Sequence, residues 1–318
     1  MRIIFMGTPD FSVGTLEALL EAGHEIVLTV TQPDKPKGRG KSLQMTPVKE
    51  AALAHGLEVY QPRRVREPEC IDYLRSFAPD LIVVVAFGQI LPKELLEIPK
   101  YCCVNVHASL LPKYRGAAPI QWAVINGEAV SGVTTMRMDD GIDTGDMILK
   151  KEVALAPDET GGSLFERLSA AGASLCVETL QQIENGTAIY TPQDPDQATS
   201  TKMIKKQMGE IDFTKSALEI ERLIRGLNPW PSAYTAWEDK TLKIWKASII
   251  EDSDVTAKGI RPGEAGTVVQ VSKDKLYVQT GRGFLSLEEV QLEGKKRMDT
   301  AAFLRGNSLE EGTRLGRA

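Results

Sequence analysis

Leu81-Ile82-Val83-Val84-Val85-Ala86 is apolar at every position, and no other stretch constrains the fold as much. A strand with one face in water alternates apolar and polar residues, so a strand without a polar position has to be covered on both faces. Such strands form the centres of parallel sheets, whose neighbours are joined by crossover connections, usually helices. The flanking sequence supplies that alternation: strand-like 3–6, helical 12–21, then strand-like 25–30 and 58–60. The pattern predicts an α/β domain with a largely parallel sheet, and in such sheets ligands sit at the carboxyl ends of the strands.

The next apolar strand, Cys102-Cys103-Val104-Asn105-Val106-His107, ends in polar residues and runs into a proline-interrupted loop. Residues two apart in a strand point to the same side, so the Asn105 amide and the His107 ring project together. A neutral amide donor beside a ring that exchanges protons near neutral pH is what acyl transfer uses to hold a developing oxyanion. The plainer alternative is a strand-end histidine satisfied by its neighbours.

Residues 119–126 read as a short helix ended by Gly127, and 131–138 as a strand that runs into Asp139-Asp140-Gly141-Ile142-Asp143-Thr144-Gly145-Asp146. A calcium loop counted from Asp139 would need glycine at Thr144 and glutamate at Lys150, so that reading fails. A carboxylate on a glycine turn after a strand is better placed to reach a histidine on a neighbouring strand end. A strand at 148–154 and a helix at 160–184, ended by Asn185-Gly186, complete the pattern.

Several other chemistries are excluded or weak. Cysteines at 70, 102, 103 and 176 show no CxxC spacing, and with only His24, His55 and His107 they support neither a disulfide framework nor a zinc site. A cysteine nucleophile paired with His107 is the weaker option, since reactive thiols need an exposed, electropositive setting. Gly7 to Gly14 lacks the spacing of a dinucleotide loop, and a P-loop ending at Gly40-Lys41-Ser42 would need glycine where Lys35 stands. Residues 32–46 instead read as a long polar loop carrying Lys35, Lys37, Arg39 and Lys41, either a phosphate-contacting element or a solvated surface loop.

A chain of 318 residues is about twice one domain. Residues 190–200 turn to Pro, Gln, Asp, Thr and Ser without apolar periodicity, which places a catalytic domain at 1–189, a linker at 190–206 and a second domain at 207–318. The second domain opens with a helix near 214–225 and Asn228-Pro229-Trp230-Pro231. Short strands follow at 241–249, 266–271, 275–280 and 283–290, separated by turn residues, as in a small antiparallel barrel or sandwich. Asp299 or Thr300 caps a last helix to 305, and the polar tail from Asn307 is expected to be mobile. The net charge of −5 divides into −7 for residues 1–204 and +2 for 205–318, which hints at an anionic partner for the second half. No stretch approaches 20 apolar residues and no signal segment is expected, so a cytoplasmic protein is expected.

Asn105-Val106-His107, Ser109-Leu110-Leu111-Pro112-Lys113-Tyr114-Arg115-Gly116 and Asp143-Thr144-Gly145 resemble the signature of the folate-dependent formyltransferases. Gly7-Thr8-Pro9 with Phe11, the loop from Lys35 to Lys41, and Asn228-Pro229-Trp230-Pro231 are more similar to the tRNA-acting branch. The resemblance extends over nearly the whole chain. It implies a Rossmann-like first domain and a small antiparallel, OB-like barrel that helps hold tRNA. It also implies transfer of the formyl group of 10-formyltetrahydrofolate to the α-amino group of methionyl initiator tRNA, with folate as a substrate, no tightly bound cofactor, no metal and no membrane. The catalytic set it implies is Asn105, His107 and Asp143. Ser109, Leu110, Leu111 and Pro112 would line the folate site, and Arg39, Lys41, Lys205 and Lys206 would meet tRNA. The alternative within the same chemistry is a formyltransferase for a small amine, which needs neither the basic loop nor the second domain.

Overall fold

A computed structural model of the chain describes residues 1–37, 42–250, 255 and 259–316. It divides into two compact units: Met1–Pro119, Val130–Ala154 and Phe165–Thr201 form the first, and Ile120–Ala129, Leu155–Leu164 and the chain from Lys202 form the second.

The first unit begins with β1 (Arg2–Gly7), α1 (Asp10–Glu21), β2 (Glu25–Val30), β3 (Lys35–Lys37), β4 (Ser42–Gln44), α2 (Pro47–Ala54) and β5 (Val59–Tyr60). It continues through α3 (Pro68–Ser76), β6 (Leu81–Val85), α4 (Lys93–Leu96), β7 (Cys102–His107), β8 (Arg115–Gly116) and α5 (Pro119–Ile125), which leads out of it. β9 (Val130–Arg137), β10 (Met147–Ala154), most of α6 (Gly161–Glu184) and β11 (Ser200–Thr201) complete it. Seven strands form one sheet in the order β10-β9-β7-β6-β1-β2-β5. Pairing is parallel from β7 to β5 and antiparallel where β9 meets β7 and β10.

The apolar run that predicted a central strand is β6, buried throughout and flanked by β1 and β7. Ile4, Met6, Leu28, Val30, Ile82, Val84 and Cys103 share one core with Leu74 of α3 and Leu95 of α4. On the other face, α6 approaches the sheet so closely at Gly172 that an added Cβ would lie 3.0 Å from Val106. Gly7 serves a similar purpose, because a Cβ there would meet Ser12 of α1 at 2.7 Å. Its glycine permits a tight strand-to-helix turn and needs no nucleotide to explain it.

Residues 32–46 differ from the loop expectation, since β3 and β4 pair antiparallel with Pro36 opposite Leu43. Proline and lysines hide the two-residue period there, but an edge ladder tolerates proline wherever its missing N–H is not required. Residues 190–201, whose composition reads as a linker, are bonded to the first unit. Thr191 bridges Met147, and β11 pairs in parallel with β8.

The second unit contains α7 (Ala217–Gly226), β12 (Ala233–Trp237), β13 (Lys240–Ile250), β14 (Val268–Val271), β15 (Leu276–Gln279), β16 (Phe284–Leu292), β17 (Met298–Asp299) and α8 (Thr300–Gly306). Its sheet is antiparallel in the order β12-β13-β16-β15-β14, with β17 on β16. α7 starts at a capping box in which Ser216 and Glu219 satisfy each other's backbone N–H groups, and it buries Ile220 and Ile224. Trp237 and Phe303 meet edge to face at 5.5 Å in the same core.

The tail expected to be mobile is docked instead. Leu309 and Leu315 are buried, Thr313 and Gly312 exchange hydrogen bonds with Val268, and Gly316 N donates to Ala236 O. The tail thus bonds to residues of β14 and β12, the two ends of the strand order. Two leucines nine tenths or more buried outweigh the polar composition that suggested mobility.

Candidate active site

β7 delivers Asn105 and His107 on one face at its carboxyl end, both nearly buried. Asp143 comes to them from the turn between β9 and β10. Asn105 Nδ2 donates to Asp143 Oδ1 at 3.5 Å, and His107 Nδ1 lies 3.6 Å from Asp143 Oδ2. The two strand residues thus converge on the two oxygens of one carboxylate. The other ring nitrogen has a fixed role, because Nε2 lies 2.9 Å from the Tyr114 carbonyl, which can only accept. Nε2 therefore donates to that carbonyl, and Nδ1 faces Asp143.

The carboxylate is held by backbone as well as by its partners. Gly116 N donates to Asp143 Oδ2 at 2.8 Å. Asp143 itself sits at φ +54°, in the left-handed region that few residues other than glycine, asparagine and aspartate adopt. Beyond it, Gly145 has no room for a side chain, since a Cβ would lie 1.8 Å from the Arg137 carbonyl. Gln193 completes the turn: its Nε2 donates to the Asp143 and Gly145 carbonyls, each at 2.8 Å, and its Oε1 accepts from Arg115 Nε at 2.9 Å.

Ser109, Leu110, Leu111 and Pro112 form the loop directly after β7. Ser109 Oγ donates to Lys113 O at 2.7 Å, and Thr134 Oγ1 bridges the Ser109 carbonyl at 2.7 Å and Leu111 N at 3.1 Å. Leu111 packs with Met136 and Met147, and Leu110 lies against Gly132. These contacts fix the outline of the segment. A hollow of about 440 Å³ borders the far side of the Asp143 turn, lined by Leu96, Cys103, Met138, Asp139, Asp140 and Gly145 among others. Cys103 projects from the same face of β7 as Asn105, two residues earlier.

Burial pushes the thiols of Cys102 and Cys103 above their ordinary range. The neutral thiol is favoured in both, which does not support a cysteine nucleophile beside His107. Among the described residues no group of His, Cys, Asp and Glu is arranged to hold a metal ion, and no helix is long and apolar enough to cross a membrane.

Lys205 and Lys206 are exposed in the second unit. Lys206 lines a hollow of about 400 Å³ with Tyr234, Lys243 and Gln291. Beside it the Trp245 ring has the Lys243 ammonium 5.4 Å and the Arg297 guanidinium 4.9 Å from its centroid. Arg39 and Lys41 lie outside the described residues.

Sequence reasoning missed Gln193, Thr134 and the Tyr114 carbonyl. A single glutamine in a polar stretch and a backbone oxygen leave no pattern in a sequence. Thr134 lay inside an expected strand, where threonine is unremarkable.

Residues 1–180 match the formyl transferase family, and residues 203–308 match the formyl transferase C-terminal domain. The chain is 66% identical over 313 residues to a methionyl-tRNA formyltransferase of Agathobacter rectalis, covering 98% of this chain and 99% of that one. It is 56% identical over 317 residues to a methionyl-tRNA formyltransferase of Lachnospira eligens, covering 99% and 100%. In fold it resembles WlaRD, a sugar 3N-formyl transferase, with a TM-score of 0.65 at 20% identity over 93% of this chain and 99% of that one.

Proposed function

This chain belongs to the formyl transferase family, and on that premise we propose that Asn105, His107 and Asp143 carry its reaction. It transfers the formyl group of 10-formyltetrahydrofolate to the α-amino group of methionyl initiator tRNA, with the folate as a substrate. The observation that carries the assignment is the convergence of Asn105 Nδ2 and His107 Nδ1 on the two oxygens of Asp143.

The α-amino group has to attack uncharged. It titrates near 7.7 to 8.0 in model peptides, so roughly a tenth or more is free at neutral pH and no strong base is needed. Attack on the formyl carbon forms a tetrahedral intermediate, and collapse breaks the carbon–nitrogen bond to the folate. The protein's tasks are to stabilise the oxyanion and to move one proton from the attacking amine to the departing nitrogen.

Asn105 keeps a second amide hydrogen beyond its bond to Asp143 and donates it to the formyl oxygen. Nε2 of His107 is committed to Tyr114, which makes Nδ1 the working atom. At 3.6 Å from Asp143 Oδ2 its proton is too far for a strong hydrogen bond, so it turns to the oxyanion and then to the folate nitrogen. The Asp143 carboxylate provides the counter-charge while the ring is cationic.

On this reading the folate lies against the loop Ser109 to Pro112, directly after the strand end that carries Asn105 and His107. Lys205 and Lys206, with the basic and aromatic surface around Trp245, contact tRNA phosphates, as do Arg39 and Lys41. With charged tRNA and a reduced folate as its substrates, the protein on this reading works in the cytoplasm.

Formylation of charged initiator tRNA, free methionine and an amino-sugar nucleotide, assayed side by side with the same folate, tests the reading. Turnover on charged tRNA should exceed both others by orders of magnitude. Comparable turnover on either small amine would overturn it.

A further inference from the structure

We propose that Gln193 is a positioning residue for formyl transfer, acting through the turn that carries Asp143. The inference rests on the reading of Asp143 as part of the catalytic set. Asp143 is held in left-handed backbone at φ +54°, a conformation that persists only where the surrounding structure over-determines it. Gln193 provides that enforcement. Its amide donates both hydrogens, one to the Asp143 carbonyl and one to the Gly145 carbonyl, at 2.8 Å each. Its oxygen accepts from Arg115 Nε at 2.9 Å. Both amide hydrogens and the oxygen of one side chain therefore join the Asp143 turn to β8.

β8 supplies the Gly116 N–H that binds Asp143 Oδ2, so Gln193 and Gly116 fix the carboxylate's main chain and its side chain through the same short strand. The residues that follow serve His107 in a parallel way. Thr199 Oγ1 accepts from Tyr114 N at 2.8 Å, and the Tyr114 carbonyl accepts from His107 Nε2. One polar stretch of chain, 193–199, thus holds both partners of the His107–Asp143 pair at one remove.

A displacement of about 1 Å in a catalytic group can cost on the order of a hundredfold in rate. Gln193→Glu keeps the length and the acceptor for Arg115 but loses both donors and sets a carboxylate against two carbonyls. Gln193→Leu loses the donors without adding charge. In both variants, measured at a temperature where circular dichroism shows them fully folded, kcat should fall roughly ten- to a hundredfold. KM for the folate and for charged tRNA should stay within about twofold, because the loss is confined to the transition state. On an Asp143→Ala background neither substitution should lower kcat further.

Either kcat within about twofold of the parent in both variants, or an undiminished loss on the Asp143→Ala background, would overturn the role of Gln193. Parental kcat in Asp143→Ala itself would instead remove the catalytic reading on which the inference stands, and the two failures are distinct.

Discussion

Nδ1 of His107 lies 3.6 Å from Oδ2 of Asp143, while Nε2 on the opposite side of the ring is 2.9 Å from the Tyr114 carbonyl. The bond to Tyr114 sets the ring's orientation and, in the neutral ring, its tautomer. On the proposed assignment the proton used in catalysis has a single address, the nitrogen between the carboxylate and the space beside Asn105.

Asp143→Asn keeps the size of the side chain and an acceptor for Gly116 N, but removes the charge that faces His107. Formyl transfer should fall about 10² to 10⁴-fold, the range of a lost proton-transfer partner, with little change in either KM. Steady-state kinetics with both substrates varied would check this. Parental kcat would exclude Asp143 from the step.

Asn105→Ala removes the proposed oxyanion donor. Turnover should drop about 10² to 10³-fold, corresponding to about 2.7 to 4 kcal/mol of transition-state stabilisation. Single-turnover rates isolate the chemical step from product release. A near-normal rate there would return Asn105 to the status of a buried amide paired with Asp143.

Lys243→Ala in the second unit should raise KM for charged tRNA and leave KM for the folate alone. If Lys243 meets a phosphate, the slope of log affinity against log salt should shrink by about 0.7 to 0.9. An unchanged slope would mean that the ammonium serves only the Trp245 ring, 5.4 Å away.

Cys176 of α6 bears on stability rather than activity. Burial pushes its thiol from the ordinary 9.0 up to about 12. A group whose folded value is raised contributes stability below its unfolded value and loses it as pH climbs toward the folded one. Between pH 9 and 12 the melting temperature of the parent should therefore fall more steeply than that of Cys176→Ala. Parallel slopes would contradict the assignment.

Much of the first unit was legible because burial writes itself into composition. A run without a polar residue could only be a covered strand, and β6 occupies that place. Asn105 and His107 were legible for a related reason, since a two-residue period fixes which side chains share a face. Asp143 could be anticipated as a carboxylate on a glycine turn, although its distances to the other two depend on β9 lying antiparallel beside β7.

Residues 32–46 and the tail beyond Asn307 were not legible, for opposite reasons. Proline and lysine concealed an antiparallel ladder whose pairing is set by backbone, and a polar composition concealed two anchoring leucines. Gln193 illustrates the general limit. The sequence by itself determined the sheet, the strand end and the residue types that can do acyl-transfer chemistry, because these follow from local periodicity and side-chain chemistry. Only the tertiary structure decided which amide would hold the Asp143 turn and which carbonyl would fix His107. Hydrogen bonds between groups 50 and 7 residues apart depend on where the chain returns, and that is settled by packing.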